Sequence, residues 1–113
     1  MAITRSSEES HVAQRLGRLA ELYEQGQASE LMTRTLDKLM LYEADVSRAQ
    51  LSQLRMDLAQ FEQEYGLESA EFFRRYSSGE TDDRMDYVEW ASLFQMAQNL
   101  GKRIALLTAE ESA

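Results

Sequence analysis

A chain of 113 residues with no proline and five glycines has room for one domain, and it lacks the turn punctuation that an all-β sandwich or barrel needs every few residues. The absence of cysteine excludes disulfides, thiolate metal sites and a thiol nucleophile, and a single histidine, His11, excludes any site built on two imidazoles. Twelve Lys and Arg against twenty Asp and Glu give a net charge of −8, and no apolar run approaches the roughly 20 residues that span a bilayer.

The first ten residues, Met1 to Ser10, are polar and lack the apolar stretch of a secretory signal, so a cytoplasmic location is expected. Residues 1–7 and 109–113 are expected to fray. Ser6 or Ser7 reads as a helix N-cap, and Ser6 with Glu9 has capping-box spacing. Val12, Leu16, Leu19 and Tyr23 then share one face of an N-terminal helix over residues 8–26, with Gly26 as its stop. Gly17 inside that pattern weakens the helix by about 1 kcal/mol relative to alanine.

Ser29 can cap a second helix, and nothing interrupts it before Gly66. Its second half carries a regular seam, Leu51, Leu54, Leu58, Phe61 and Tyr65, at the alternating spacing of a coiled-coil edge. Its first half uses Leu36, Leu39, Met40, Tyr42 and Val46, which do not continue that register. The sequence therefore predicts a bend near Ala44 to Ala49, or different partners for the two halves.

Between Gly66 and Gly79 a short helix is expected, capped by Ser69, with Phe72, Phe73 and Tyr76 as an aromatic face. A loop over Ser77 to Asp83 follows, and Asp82 or Asp83 would cap a last long helix. There Trp90, Leu93 or Phe94, Ala97, Leu100, Ile104 and Leu107 repeat the seam of the second helix. Two matching seams joined by a short helix imply an all-α fold, a long antiparallel helical hairpin with an N-terminal helix, treated as a single domain over 1–113. In that register Leu58, Phe61 and Tyr65 lie near Trp90 and Phe94, and Leu51 faces Leu100. Apolar residues left on outer positions, among them Met32, Leu41, Met56, Met85, Val88 and Met96, imply an interface, hence a homodimer, a partner protein, or both.

The charge is local. Ten acids and three bases between Asp57 and Glu89 leave that stretch at −7. Such a segment repels phosphate backbones, and the bases elsewhere are interleaved with acids, so direct nucleic-acid binding is not expected. The segment from Ser78 to Glu89 superficially matches the later part of a calcium loop. However, Ser78 stands where the leading Asp belongs, and Asp83 stands where a glycine makes the turn. Glu68 with Glu71 and Asp86 with Glu89 have the one-turn spacing that helical nucleotide pyrophosphohydrolases use to hold magnesium. Here the second pair is in reverse order and no lysine cluster accompanies it, so solvated helix edges are the better reading. His11 has no nucleophile beside it. No catalytic, metal or cofactor residue is assigned.

Seven of the ten aromatic residues fall between Tyr65 and Phe94, a span that overlaps the acidic stretch. Phe72, Trp90 and Phe94 suit a core. Phe73, Tyr76 and Tyr87, ringed by Glu80, Asp82, Asp83, Asp86 and Glu89, have the composition of a protein-binding surface.

From about Thr35 onward, roughly two thirds of the chain, the sequence resembles small all-α proteins identified as antitoxins and encoded beside TumE-like toxins. The match rests on Thr35-Leu36-Asp37-Lys38-Leu39, Phe61-Glu62-Gln63-Glu64-Tyr65-Gly66-Leu67 and Glu71-Phe72-Phe73-Arg74-Arg75-Tyr76. It continues through Gly79-Glu80 and Asp86-Tyr87-Val88-Glu89-Trp90-Ala91-Ser92-Leu93. Residues 1–31 lie outside it, and Met32 is a possible alternative start. The resemblance implies a role in neutralising a small toxin. The coincidence of the acidic stretch with the aromatic cluster points to a non-enzymatic module whose acidic, aromatic end of the hairpin occludes the toxin's basic surface. A structural or assembly subunit is the alternative, and a metal-dependent nucleotide hydrolase comes third.

Overall fold

The computed structural model describes residues 6–109. Four helices account for the architecture: α1 (Ser7–Glu24), α2 (Glu30–Tyr65), α3 (Ser69–Ser77) and α4 (Met85–Leu107). No strand occurs among the described residues, and no helix is long and apolar enough to cross a membrane. The expected fraying of the chain ends falls largely on residues 1–5 and 110–113, which lie outside the described residues. The chain divides into two compact units, one running to Lys38 and one starting at Leu39.

In the first unit the capping box forms as its spacing predicts. The Glu9 amide donates to Ser6 Oγ at 3.1 Å, and the Ser6 amide donates to Glu9 Oε1 at 3.2 Å. α1 stops at Glu24, two residues before Gly26, whose positive φ lets the Gln27 amide turn back to the Leu22 carbonyl at 2.8 Å. The start of α2 is capped by Ser29, whose hydroxyl accepts from the Met32 amide at 3.2 Å. Tyr23 of α1 and Thr33 of α2 share a hydroxyl–hydroxyl hydrogen bond of 2.7 Å. α1 buries no residue.

In the second unit α2 and α4 form the predicted antiparallel hairpin. Phe61 stacks on Trp90 with ring centres 5.6 Å apart, and far along the pair Arg103 Nε donates to Ser47 Oγ at 3.0 Å. The same register sets Leu51 level with Leu100. The stripe of α2 does not drift. Its buried residues are Ala44, Ser47, Leu51, Leu54 and Leu58, at unbroken steps of three and four. Of the side chains assigned to the first half, Leu39, Tyr42 and Val46 are exposed, Tyr42 at 65 %, while Leu36 and Met40 are half-buried. The seam continues through two small side chains that hydropathy does not flag, so no change of register is needed around Ala44 to Ala49.

The core lies at the closed end. Phe72 of α3 lies flat on Trp90, with centroids 3.8 Å apart and planes within 2°. Trp90 and Phe72 are fully enclosed, and burying an aromatic of this size contributes roughly 4–6 kcal/mol. The indole N–H donates to Ser69 Oγ at 2.8 Å. That bond corrects the expectation that Ser69 caps α3. Its hydroxyl serves the buried indole instead, Glu68 occupies the cap position without a side-chain bond, and Glu62 of α2 accepts from the Ser69 amide at 2.9 Å. The expected acidic cap of α4 is likewise displaced. Arg84 is the cap residue, while Asp82 accepts from its amide at 3.1 Å and grips its guanidinium at 2.9 Å.

Candidate partner-binding groove

The aromatic residues assigned to a binding surface edge the core. Phe73 is half-buried against Phe94 at 5.1 Å, and Tyr76 lies 5.6 Å from Phe72. Tyr87 packs 5.3 Å from both Tyr65 and Phe72, with the Arg84 guanidinium 4.6 Å over its ring. Each keeps part of its surface in solvent and part in the hydrophobic cluster.

The acids separate into two groups. Glu71 is held by Arg74 at 2.8 Å and by Arg75 at 2.7 Å, and these guanidinium bonds hold its carboxyl down at about 2. Glu80 accepts from Ser78 Oγ at 2.6 Å and pairs with Arg74 at 3.3 Å; the serine bond first, then the arginine charge, lowers its pKa. Asp82 is lowered by Arg84. The three arginines of the acidic stretch are thus all engaged with Glu71, Glu80 and Asp82. Asp83 and Glu89 are exposed.

The arginines sit on α3 and its flanking loop, and α3 fills one groove of the hairpin. On α4, Tyr87, Trp90 and Phe94 face α3. Asp86, Glu89 and Leu93, spaced at three and four, occupy a different face of the helix. There the second groove of the hairpin is open. Asp57, Gln60, Phe61 and Glu64 of α2 stand across from Asp86, Glu89 and Leu93 and line a pocket of about 390 Å³. One helical turn further along both helices, Gln50, Gln53 and Leu54 stand across from Met96, Asn99 and Leu100 around a pocket of about 490 Å³. Beyond that the Arg103 guanidinium crosses from α4 to Glu43 and Ser47.

This groove combines four carboxylates with an apolar floor, and no cation lines either pocket. Asp86 is oriented by the Tyr65 hydroxyl, which donates to it at 2.6 Å, and that bond holds the phenol proton well above its ordinary range. Gln53 donates to Asp57 at 3.2 Å. The pairing of Asp86 with Glu89 on one face is found as its spacing predicts. Glu68 and Glu71 make no corresponding site, since Glu71 is claimed by arginines. Among the described residues no three His, Asp or Glu side chains are arranged to hold a metal ion. His11 is exposed on α1.

Of the eight residues assigned to a partner surface, only Asp86 and Glu89 line the open groove. Phe73, Tyr76, Glu80 and Asp82 belong to the α3 side and its loop. Asp57, Phe61, Glu64 and Leu93 complete the groove; the sequence pattern places Phe61 and Leu93 in the helix seams and assigns none of the four to a partner surface. Their signal was present in the seven-residue step from Asp57 to Glu64 and in Leu93 one turn beyond Glu89, but it becomes legible only once α2 and α4 are set face to face. No protein-family model matches the chain, and neither a curated protein nor a solved structure shows significant similarity to it.

Proposed function

We propose that the protein is a non-enzymatic protein-binding module that sequesters a partner with a basic surface, in the manner of an antitoxin occluding a small toxin in the cytoplasm. The observation that carries this reading is the open groove between α2 and α4, where Asp57, Glu64, Asp86 and Glu89 surround Phe61 and Leu93 with no cation among them. A negative surface speeds encounter with a basic partner, and apolar contact beneath it slows release. The acids around Glu80 and Asp82 are already paired with arginines, which shifts the expected contact from the loop to the groove.

Co-expression with a small toxin of the TumE-like kind tests the reading. Relief of growth arrest and co-elution of the two chains is the expected result; persistent arrest with no complex would overturn it.

An assembly subunit built through helix faces is the second reading. It is favoured by exposed apolar side chains such as Met56, Met85 at 81 % and Leu106 at 78 %. A multi-copy particle in solution with no heterologous partner would decide for it.

A further inference from the structure

We infer that the open groove takes a single amphipathic α-helix of the partner, basic along one half and apolar along the other. This rests on the protein-binding reading above and names the partner's chemistry. The groove has a built-in precedent on its opposite side. There α3, a nine-residue amphipathic helix, lies along the same hairpin with Phe72 on Trp90 and Phe73 on Phe94, and turns Arg74 and Arg75 to solvent. A helix on the open side would complete the same layering around α2 and α4.

The length and the charge pattern select the occupant. From Gln50 to Glu64 the groove runs about 21 Å along α2, some four helical turns. Its closed end is negative, through Asp57, Glu64, Asp86 and Glu89, while its middle is apolar, through Leu54, Met96 and Leu100, with amide side chains at the rim. The Arg103 bridge to Glu43 and Ser47 bounds it at the far end. Lys or Arg in the incoming helix therefore meets the closed end and Leu-type residues meet the middle. The positive pole of the helix dipole favours an orientation with its N-terminus at the carboxylates. A second copy of this chain, itself at −8 and lined by the same acids, is electrostatically disfavoured.

The test is a titration of the full chain with a labelled peptide of about 15 residues, Lys-rich over its first two turns and Leu-striped over the rest. A scrambled peptide of the same composition and a version with Glu replacing Lys serve as comparisons. The patterned Lys peptide should bind, and the other two should not. Glu64→Lys with Glu89→Lys should weaken binding by about tenfold or more, while Asp45→Lys with Glu68→Lys, the same charge change at exposed positions that line neither pocket, should leave it unaltered. Met96→Gln should weaken it several-fold, and helical circular dichroism together with the Trp90 melting transition checks that each variant folds. Equal binding of the scrambled peptide, or equal loss in the control pair, would reduce the effect to net charge and overturn the inference. So would a drop in molecular mass of the native protein on the groove changes, which would make the groove a contact between copies. If a partner is captured as strongly by the groove variant as by the native chain, this inference falls while the protein-binding reading stands. If no partner is captured at all, that reading falls first.

Discussion

Trp90 is where the small polar residues of the chain matter most. An indole is too large to bury without a destination for its N–H, and Ser69 supplies the acceptor at 2.8 Å from the first turn of α3. The same serine amide is held by Glu62 of α2, so one residue ties the three helices together. Replacing Ser69 with alanine leaves a buried donor unpaired. Denaturation followed by Trp90 fluorescence should show a loss of about 1–3 kcal/mol; an unchanged midpoint would mean that the bond contributes nothing. Arg103 and Ser47 form the counterpart at the other end of the hairpin, where a small side chain admits the guanidinium between the helices.

At the scale of elements, glycines at two kinds of position predict opposite signs. Gly66 ends α2 with φ of +65°, and the reversal it allows carries the chain into α3. Gly17 lies inside α1 in ordinary helical geometry, and neither glycine has an atom within 4 Å of where a Cβ would be placed. Alanine at 66 should therefore destabilise by about 1 kcal/mol through backbone strain alone. Alanine at 17 should stabilise α1 locally by a similar amount, about 1 kcal/mol, by favouring the helical backbone. A lowered Trp90-detected melt for the first variant and raised helical circular dichroism for the second are the expected readings, and a shared sign would contradict the backbone argument.

At the scale of the whole molecule, every buried residue among those described lies between Ala44 and Ala91. The cooperative unit is thus the hairpin with α3, and the stretch before Lys38 adds no enclosed side chain. A chain starting at Met32 should unfold with a Trp90-detected free energy within about 1 kcal/mol of the full chain. A much larger loss would show that the leading residues support the core. The groove is also a property of this scale, since it exists only because α2 and α4 run antiparallel in one register.

The all-helical class, the three long helices, the hairpin and its register were legible in the sequence, because seams such as Leu51, Leu54, Leu58, Phe61 and Tyr65 encode a helical period directly. The capping box at Ser6 and the stops at Gly26 and Gly66 were equally local. Missed were features whose meaning depends on a distant partner. Ala44 and Ser47 extend the seam without hydrophobic weight, Ser69 turned from cap to acceptor once Trp90 arrived beside it, and Asp82 engaged Arg84 rather than a helix end. Composition showed that the middle of the chain is acidic. Only the tertiary packing decided which acids face arginines and which line an open groove, because that sorting follows from where α3 lies against the two long helices.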